Sequence, residues 1–154
     1  ALGAGTIVAV DPDAGRRARA IELGAHHAID GVDAGTRSAV VDLVGPDGAD
    51  AVIDIVGTDD TIDIGLRSLA RGGCFALVGA GGGTLAKPWF STLPHEAEVF
   101  TFQGSSRAHV DGVIALARDG RVTMDAERFP LADVASAYER MNAGTLAGRA
   151  VVVP

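Results

Sequence analysis

The amino-acid sequence predicts an α/β domain built on a doubly wound parallel sheet. Short runs of aliphatic and β-branched residues alternate with amphipathic helical stretches, which is the order of parallel strands and crossover helices. The runs are continuously apolar, as in strands that helices cover on both faces. A chain of 154 residues, 47% of them hydrophobic, is long enough for one such domain with its own core.

The strand and helix candidates follow one another along the chain. Strands are predicted at residues 6–10, 26–30, 51–56, 74–78 and 98–102. Helices are predicted between and after them at residues 13–23, 36–45, 59–71 and 109–118. The helix at 36–45 has the weakest pattern. The first helix has Asp13 as its N-cap candidate and Gly24 as its stop.

The pattern changes after about residue 125. A helix around Val134, Tyr138 and Met141 and a closing strand at residues 149–153 leave the strand-helix rhythm. We therefore expect a main α/β part at residues 1–125 and a separate C-terminal helix and strand at residues 126–154.

Charge and composition exclude several classes of function. The formal net charge of −7 argues against nucleic acid and against an anionic membrane surface as partners, because both require clustered Lys and Arg. No apolar run reaches the roughly 18 residues of a membrane-spanning helix. The single cysteine, Cys74, rules out an internal disulfide and fits a reducing compartment, so we expect a cytoplasmic protein. No His or Cys has partners at metal-binding spacing, so no local metal site is expected.

Asp11 is a charged residue at the point where the first predicted strand ends. In dinucleotide-binding folds, an acid at the end of the second strand accepts hydrogen bonds from the adenosine ribose. The alternative is that Asp11 only begins the turn DPDAG, for which Asp-Pro is well suited. The Gly-x-Gly-x-x-Gly turn expected about 20 residues earlier is absent from this sequence, and neither Gly3 with Gly5 nor GAGGGT at residues 79–84 replaces it.

Several phrases of the sequence occur in an order and spacing typical of one family. They are LGAGTIVAVD with RRARAIELGA, GADAVIDIVG, GGCFALVGAGGG, EVFTFQGS and GRAVVVP. Together they resemble the C-terminal, coenzyme-binding portion of the zinc-dependent medium-chain alcohol dehydrogenase/reductase family, and most of all its bacterial NAD-dependent secondary alcohol dehydrogenases. The resemblance implies a Rossmann-like sheet that lacks its first strand and its glycine fingerprint.

The resemblance also implies a set of coenzyme-binding positions, with no catalytic or metal-binding residue in this chain. The positions are Asp11, Arg16, Val56, Gly57, Val78, Gly79, Thr101 and Arg149. Asp11 and Arg16 would hold the adenosine ribose, and Arg149 would reach the pyrophosphate with its planar fork of donors. Without the resemblance, both arginines would be taken for solvated surface residues.

The remaining positions would act at strand ends. Val56 and Gly57 would line the adenine and ribose side of the cleft. The backbone of Val78 and Gly79 would meet the nicotinamide carboxamide, and Thr101 would make the matching contact on the next strand. Without the resemblance, the two valines would be taken for core residues.

NAD is the expected coenzyme. A carboxylate at Asp11 a few ångströms from a 2′-phosphate would cost ~1 to 4 kcal/mol, which is tenfold or more in affinity. Arg16, Arg17 and Arg19 favour NADP instead, because clustered arginines can hold a phosphate, but they spread over a broad arc of the helix.

The resemblance implies hydride transfer between a secondary or related alcohol and NAD, with zinc held by a domain outside this sequence. The 154 residues alone are expected to be inactive. The partners would be the dinucleotide, a small alcohol or carbonyl compound, and further copies in a homo-oligomer. Residues 85–102 would form the oligomer contact, although a lid or ordinary core suits Trp89, Phe90 and Leu93 equally. Two alternatives remain, a zinc-free quinone reductase and a non-catalytic, truncated Rossmann-like binding or oligomerisation module.

The absent strand would be the central one in the strand order 3-2-1-4-5-6. Its loss would leave two interior edges bare, so we expect something to fill the gap between the strands at 6–10 and 51–56. The resemblance implies that the C-terminal helix and strand at 126–154 return to the catalytic domain, so we also expect the closing strand at 149–153 to be unpaired.

Overall fold

The computed structural model describes residues 3–86 and 88–154. The chain divides into two compact units, of which the first ends at Gly104 and the second spans Ser105–Pro154. Parallel strands joined by helices occur in both units, so the predicted α/β class with parallel sheets is confirmed. The functional division expected at residue 125 stays a prediction. No helix in the described ranges is both long enough and apolar enough to cross a membrane.

The first unit follows the predicted alternation. Its described strands are β1 (Val8–Val10), β2 (His27–Ile29), β3 (Ala49–Asp54), β4 (Leu69–Leu77) and β5 (Glu98–Thr101). Its described helices are α1 (Ala14–Glu22), α2 (Thr36–Val44), α3 (Asp59–Arg67) and the single turn α4 (Trp89–Thr92). The predicted N-cap is confirmed, because Asp13 Oδ1 accepts the Arg16 N–H at 2.7 Å.

The strands of the first unit form two parallel sheets. β1 pairs with β2, and Val10 lies opposite Ile29. The other sheet has the order β3-β4-β5, with Asp54 opposite Leu77 and Leu77 opposite Thr101. The carboxyl ends of β3, β4 and β5 therefore lie side by side.

The core of the first unit lies between α3 and the β3-β4-β5 sheet. Ile62 and Leu66 of α3 pack with Leu69 and Phe75 of β4, and Phe75 is fully buried. Burial of a side chain of this size contributes about 1.5 to 3 kcal/mol. A capping box between Thr58 and Thr61 begins α3, so the core and the cap together fix the strand ends relative to the helix.

The boundary between α3 and β4 differs from the sequence prediction. The helix predicted at 59–71 ends at Arg67, and the strand predicted to begin at residue 74 begins at Leu69. Ser68 is the C-cap, whose N–H is shared between Ile64 O and Gly65 O and whose hydroxyl also donates to Ile64 O. Its carbonyl then accepts the Ala49 N–H at 2.8 Å, which brings the chain directly into the sheet.

Nothing in the described part of this chain fills the gap between β1 and β3, and the expectation that something fills it stays a prediction. No strand in the described part of the first unit bridges the two sheets, and a cavity of about 640 Å³ lies between these strands. Every other described strand of the unit already pairs within one of the two sheets, so none is left to enter the gap. Ile53 of β3 is consequently 68% exposed.

The second unit contains α5 (Arg107–Arg118), β6 (Ala126–Pro130), a 3-10 turn (Leu131–Asp133), α6 (Val134–Asn142) and β7 (Arg149–Val153). The expectation that the closing strand is unpaired is wrong, because β7 pairs in parallel with β6 over its whole length. The sequence analysis missed β6, since AERFP contains Glu and Pro, which are depleted in strands. Phe129 is buried there, which supplies the apolar contact that holds the strand.

An ion pair joins α6 to β6 in the second unit. The Arg140 guanidinium donates to both oxygens of Glu127, and it also donates to Thr145 O at 2.8 Å. The Ala147 N–H donates to Glu127 Oε1 at 2.6 Å. The hydrogen bond from Ala147, together with those from Arg140, holds the pKa of Glu127 below its usual value.

Candidate functional site

The carboxyl ends of β1 and β3 open onto the cavity between these strands. Asp11 and Arg16 line it from the β1 side, and Val56 lines it from the β3 side. Thr58 and Thr61, at the start of α3, add hydroxyl groups. Ligands of open α/β sheets bind outside the carboxyl ends of the strands, so this end of the cavity is the candidate site.

Asp11 lies directly after β1, and its side chain is 30% exposed. Its Oδ1 accepts the Asp13 N–H at 2.8 Å, so Asp11 does begin the DPDAG turn. Its Oδ2 lies 3.9 Å from Arg16 Nη1, which is too long for a hydrogen bond. One carboxylate oxygen thus builds the turn, and the other keeps acceptor capacity toward the cavity.

The three arginines of α1 have different surroundings. Arg17 donates to Asp11 O at 2.8 Å and to Asp30 Oδ1 at 2.9 Å, and Arg19 pairs with Glu22 at 2.8 Å. Arg16 is the member of this group that lines the cavity, and its side chain is 69% exposed. A phosphate at the Asp11 carboxylate would therefore meet one arginine of the cavity lining instead of a cluster.

Asp54 occupies the same place at the end of β3 that Asp11 occupies at the end of β1. The residue is only 6% exposed, and its Oδ1 accepts the N–H groups of Val56 and Gly57, both at 2.9 Å. Its Oδ2 accepts the Thr61 hydroxyl at 2.8 Å. The sequence analysis missed this residue, although an acid inside the apolar run AVIDIV is the same signal that singled out Asp11.

The ends of β3 and β4 meet through glycine. A Cβ on Gly57 would lie 2.2 Å from Gly79 O, and a Cβ on Gly79 would lie 2.2 Å from the Val56 carbonyl carbon. Gly57 has a φ of 75°, a conformation that other residues rarely adopt. The N–H groups of Val78 and Gly79 both donate to Asp54 O, at 2.8 and 3.0 Å. The close approach of the two strand ends therefore requires glycine at positions 57 and 79, whether or not a ligand binds there.

The glycine-rich stretch after β4 is bound to the loop after β3. Gly81 donates to Val56 O and Gly83 donates to Gly57 O, both at 2.9 Å. The Thr84 N–H and hydroxyl donate to Asp59 Oδ1 at 2.7 and 2.9 Å. A phosphate-binding loop needs N–H groups directed at the ligand, and here those of Gly81 and Gly83 are used within the fold.

Five predicted residues lie outside this cavity lining, namely Gly57, Val78 and Gly79 at the meeting strand ends, and Thr101 and Arg149. Thr101 is the exposed last residue of β5, level with Leu77 and next to the strand end at Val78. Arg149 belongs to the second unit, where it is exposed at the start of β7 and its N–H donates to Asp125 O at 2.9 Å. The structure therefore gathers the predicted positions of the first unit at neighbouring strand ends.

A zinc ion does not fit the residues that are described. Within residues 3–86 and 88–154, no three His, Cys, Asp or Glu side chains are grouped closely enough to hold a metal ion. His26 Nδ1 accepts the Ile7 N–H at 3.0 Å, which is a structural task.

The aromatic residues of α4 are exposed. Trp89 and Phe90 are 71% and 76% exposed and meet edge to face at 5.5 Å. Leu93, by contrast, packs against the core cluster of Ile62 and Phe75. The core interpretation therefore holds for Leu93 and is wrong for Trp89 and Phe90.

The parallel strands, the crossover helices and the acid at the first strand end define a Rossmann-like α/β domain. The chain belongs to the zinc-binding dehydrogenase family, whose model matches residues 1–119. The family resemblance predicted from the sequence is thereby confirmed.

Named relatives agree with the family. A D-arabinose 1-dehydrogenase (NADP(+)) of Saccharolobus solfataricus is 29% identical over 97% of this chain and 42% of its own length. An alcohol dehydrogenase of Geobacillus stearothermophilus is 29% identical over 95% of this chain and 42% of its own length. The crystal structure of an alcohol dehydrogenase from Aeropyrum pernix matches with a TM-score of 0.86 and 27% identity, over 97% of this chain and 43% of that one. The chain thus spans less than half the length of the relatives it matches.

Proposed function

We propose that this chain is the NAD-binding part of an alcohol-type dehydrogenase and that the coenzyme lies along the carboxyl ends of β1, β3, β4 and β5. Membership of the zinc-binding dehydrogenase family supports the reaction class. The observation that carries the proposal is the convergence of Asp11, Arg16 and Val56 on one cavity at the strand ends. The whole protein would interconvert a secondary or related alcohol and its carbonyl compound.

The adenosine ribose would bind at Asp11. Arg16 Nη1 lies 3.9 Å from Asp11 Oδ2, too far to donate a hydrogen bond, so this oxygen can accept one from a ribose hydroxyl. Arg16 lies within reach of the same hydroxyls, because its exposed guanidinium lines the cavity beside Asp11. Val56 and Gly57 would form the opposite wall, which Asp54 holds in place through their N–H groups.

The nicotinamide end would lie at β4 and β5. The N–H groups of Val78 and Gly79 are occupied by Asp54 O, so their carbonyl oxygens are the groups that would accept the carboxamide NH₂. Thr101 would offer the matching backbone on β5. Bound NAD supplies the hydride acceptor, and the residues of this chain orient it. Arg149 is assigned to the pyrophosphate on the family resemblance.

The choice of NAD over NADP follows from the surroundings of Asp11. A 2′-phosphate would face this carboxylate, while Arg17 and Arg19 are engaged with Asp30 and Glu22. The repulsion would cost roughly 1 kcal/mol or more at a few ångströms. One relative bears a name with NADP(+), so the family does not fix the coenzyme and the residues must decide it.

The zinc, the substrate and the homo-oligomer belong to the proposal for the whole protein. The described residues offer zinc no ligand set, so the zinc would be held by another domain of the whole protein. The non-catalytic alternative stays a prediction, because no observation favours it over the dehydrogenase.

Titration of the isotope-labelled chain with NAD and with NADP, followed by NMR, tests the proposal. We expect weak, saturable NAD binding that shifts the amide signals of Asp11, Val56, Gly57 and Gly79. NADP should bind about tenfold more weakly. Glu98→Gln is the control, since Glu98 is an exposed acid at the start of β5, at the opposite end of the strands, and its loss should leave the ratio of the two affinities unchanged. Equal affinities, or shifts that spare these amides, would contradict the proposal.

A further inference from the structure

Arg17 of α1 lies between the ends of β1 and β2. Its Nη1 donates to Asp11 O at 2.8 Å and to Asp30 Oδ1 at 2.9 Å. Asp11 directly follows β1, and Asp30 directly follows β2. These strands are parallel, with Val10 opposite Ile29, so the two acids stand side by side at the carboxyl edge of their sheet. The guanidinium of Arg17 therefore joins the two strand ends.

The charge of Arg17 has limited access to water. Its side chain is 21% exposed, whereas that of the neighbouring Arg16 is 69% exposed. Solvent and salt screen such a charge less than one at an open surface, so its effect on a ligand depends on the partner that neutralises it. Asp30 is that partner, and its own carboxylate is 76% exposed.

Arg17 carries more donors than its two hydrogen bonds use. A guanidinium has five N–H groups in a planar fork, and both bonds leave from Nη1. The fork suits a phosphate, whose oxygens can accept two N–H groups together. The carbonyl that holds Nη1 belongs to Asp11, at whose carboxylate the adenosine ribose would bind. A phosphate on that ribose would therefore lie near this guanidinium, although Arg17 is not part of the cavity lining.

We propose that Asp30 is a positioning residue for coenzyme selection, which engages Arg17 and so keeps this arginine from a 2′-phosphate. The inference rests on the proposed binding of NAD at Asp11. The Asp11 carboxylate repels a 2′-phosphate directly, and Asp30 acts through Arg17 by neutralising a cation that would offset the repulsion. Two acids at the ends of neighbouring strands thus share the selection of NAD.

Titration of the wild type and of Asp30→Asn with NAD and with NADP tests the proposal. Asparagine keeps the size of the side chain and removes its charge, which releases Arg17 toward a 2′-phosphate. The NADP affinity should rise roughly threefold or more, the effect of one unit charge several ångströms away near water, and the NAD affinity should change less than about twofold. The ratio of the two affinities is the readout, since a merely structural role of Asp30 would change both affinities alike.

Glu22→Gln is the matched control. Glu22 also pairs with an arginine of α1, Arg19 at 2.8 Å, and its exposure of 64% is similar to that of Asp30. It is the last residue of α1, about 12 Å along the helix from Ala14, which exceeds the Debye length of about 10 Å at 0.1 M salt. Its loss should leave the ratio within about twofold of the wild type. Equal changes of the ratio in the two variants overturn the proposal.

A second background shows whether Asp30 acts through Arg17. Arg17→Gln removes the guanidinium, so adding Asp30→Asn to it should change the ratio less than about twofold. If Asp30→Asn changes the ratio as much in this background as in the wild type, its carboxylate acts on the phosphate by its own charge. That result overturns the role given to Arg17.

The same titrations separate this inference from the proposed function. If NAD shifts the Asp11 amide signal in both the wild type and Asp30→Asn and the ratio is unchanged, this inference alone is overturned. If neither dinucleotide binds any of the proteins, the proposed function is contradicted and this inference fails with it.

Discussion

Asp11 and Asp54 stand at corresponding places, each at the end of a parallel strand that borders the same cavity. Asp54 is 6% exposed, and its two oxygens accept three hydrogen bonds from the protein. Asp11 is more exposed, and one of its oxygens accepts no protein hydrogen bond that competes with a ligand. The two acids therefore differ in the number of hydrogen bonds that they accept from the protein. Asp54, with three, holds the site together, whereas Asp11, with one free oxygen, can bind a ligand.

The largest effect should come from the glycine contact that Asp54 organises. Gly57→Ala puts a Cβ 2.2 Å from Gly79 O at a φ of 75°. Strain and overpacking of about 1 to 3 kcal/mol each should lower the free energy of unfolding by about 4 kcal/mol. Urea denaturation followed by circular dichroism measures the loss.

Gly5→Ala is the control for that variant, because its Cβ would meet nothing within 4 Å and its φ is ordinary. It should change stability by less than about 1 kcal/mol. If Gly57→Ala is as stable as Gly5→Ala, the two strand ends do not meet as described.

Asp54→Ala should have the next largest effect. The N–H groups of Val56 and Gly57 and the Thr61 hydroxyl would lose their acceptor in a buried place. We expect a loss of about 3 kcal/mol in the free energy of unfolding. Asp54→Asn, which keeps one oxygen for the two N–H groups, should lose less. If Asp54→Ala lowers the free energy of unfolding by less than about 1 kcal/mol, the three hydrogen bonds of Asp54 do not hold the site together.

Glu127 extends the comparison to the second unit, as another acid whose oxygens are engaged by the protein. Its pKa is lowered in the folded state from 4.5, chiefly by the Ala147 N–H and then by Arg140. A lowered folded pKa stabilises the protein above the unfolded value, and the gain is lost as the pH falls through the folded value. The wild type should therefore have a higher melting temperature than Glu127→Gln at neutral pH. This difference in melting temperature should vanish as the pH falls below 4.5.

The effect at Glu127 should be smaller than at Asp54, because its side chain is 26% exposed and is screened by water. Glu22→Gln is the matched control, since Glu22 is 64% exposed in its pair with Arg19. A difference between wild type and Glu127→Gln that persists unchanged at low pH would contradict the role assigned to the ion pair.

The periodic parts of the fold could be predicted from the sequence, and the parts that depend on distant contacts could not. The apolar runs located β1 to β5 because a covered parallel strand is apolar on both faces. β6 escaped because Glu127 and Pro130 lie in it, and only the partner strand makes AERFP a strand. The Gly57–Gly79 contact joins two loops that are distant in sequence, so no local pattern reveals it.

The candidate site divides in the same way. The position of Asp11 after a strand was visible in the sequence, but its partners, and hence the choice between turn and ligand, required the structure. The different pairings of Arg16, Arg17 and Arg19 also follow from side-chain geometry that composition cannot supply. The roles of the eight predicted coenzyme positions stay predictions.

The most direct test of the account measures Asp11→Asn and Asp54→Asn side by side, by urea denaturation and by NAD and NADP titration. Asparagine at position 11 can keep the hydrogen bond from Asp13, so stability should change by less than about 1 kcal/mol. The preference for NAD over NADP should fall about tenfold in Asp11→Asn, whereas Asp54→Asn should lose stability and keep the preference. An unchanged preference in Asp11→Asn, or a loss of stability equal to that of Asp54→Asn, would contradict the assignment of Asp11 to the coenzyme.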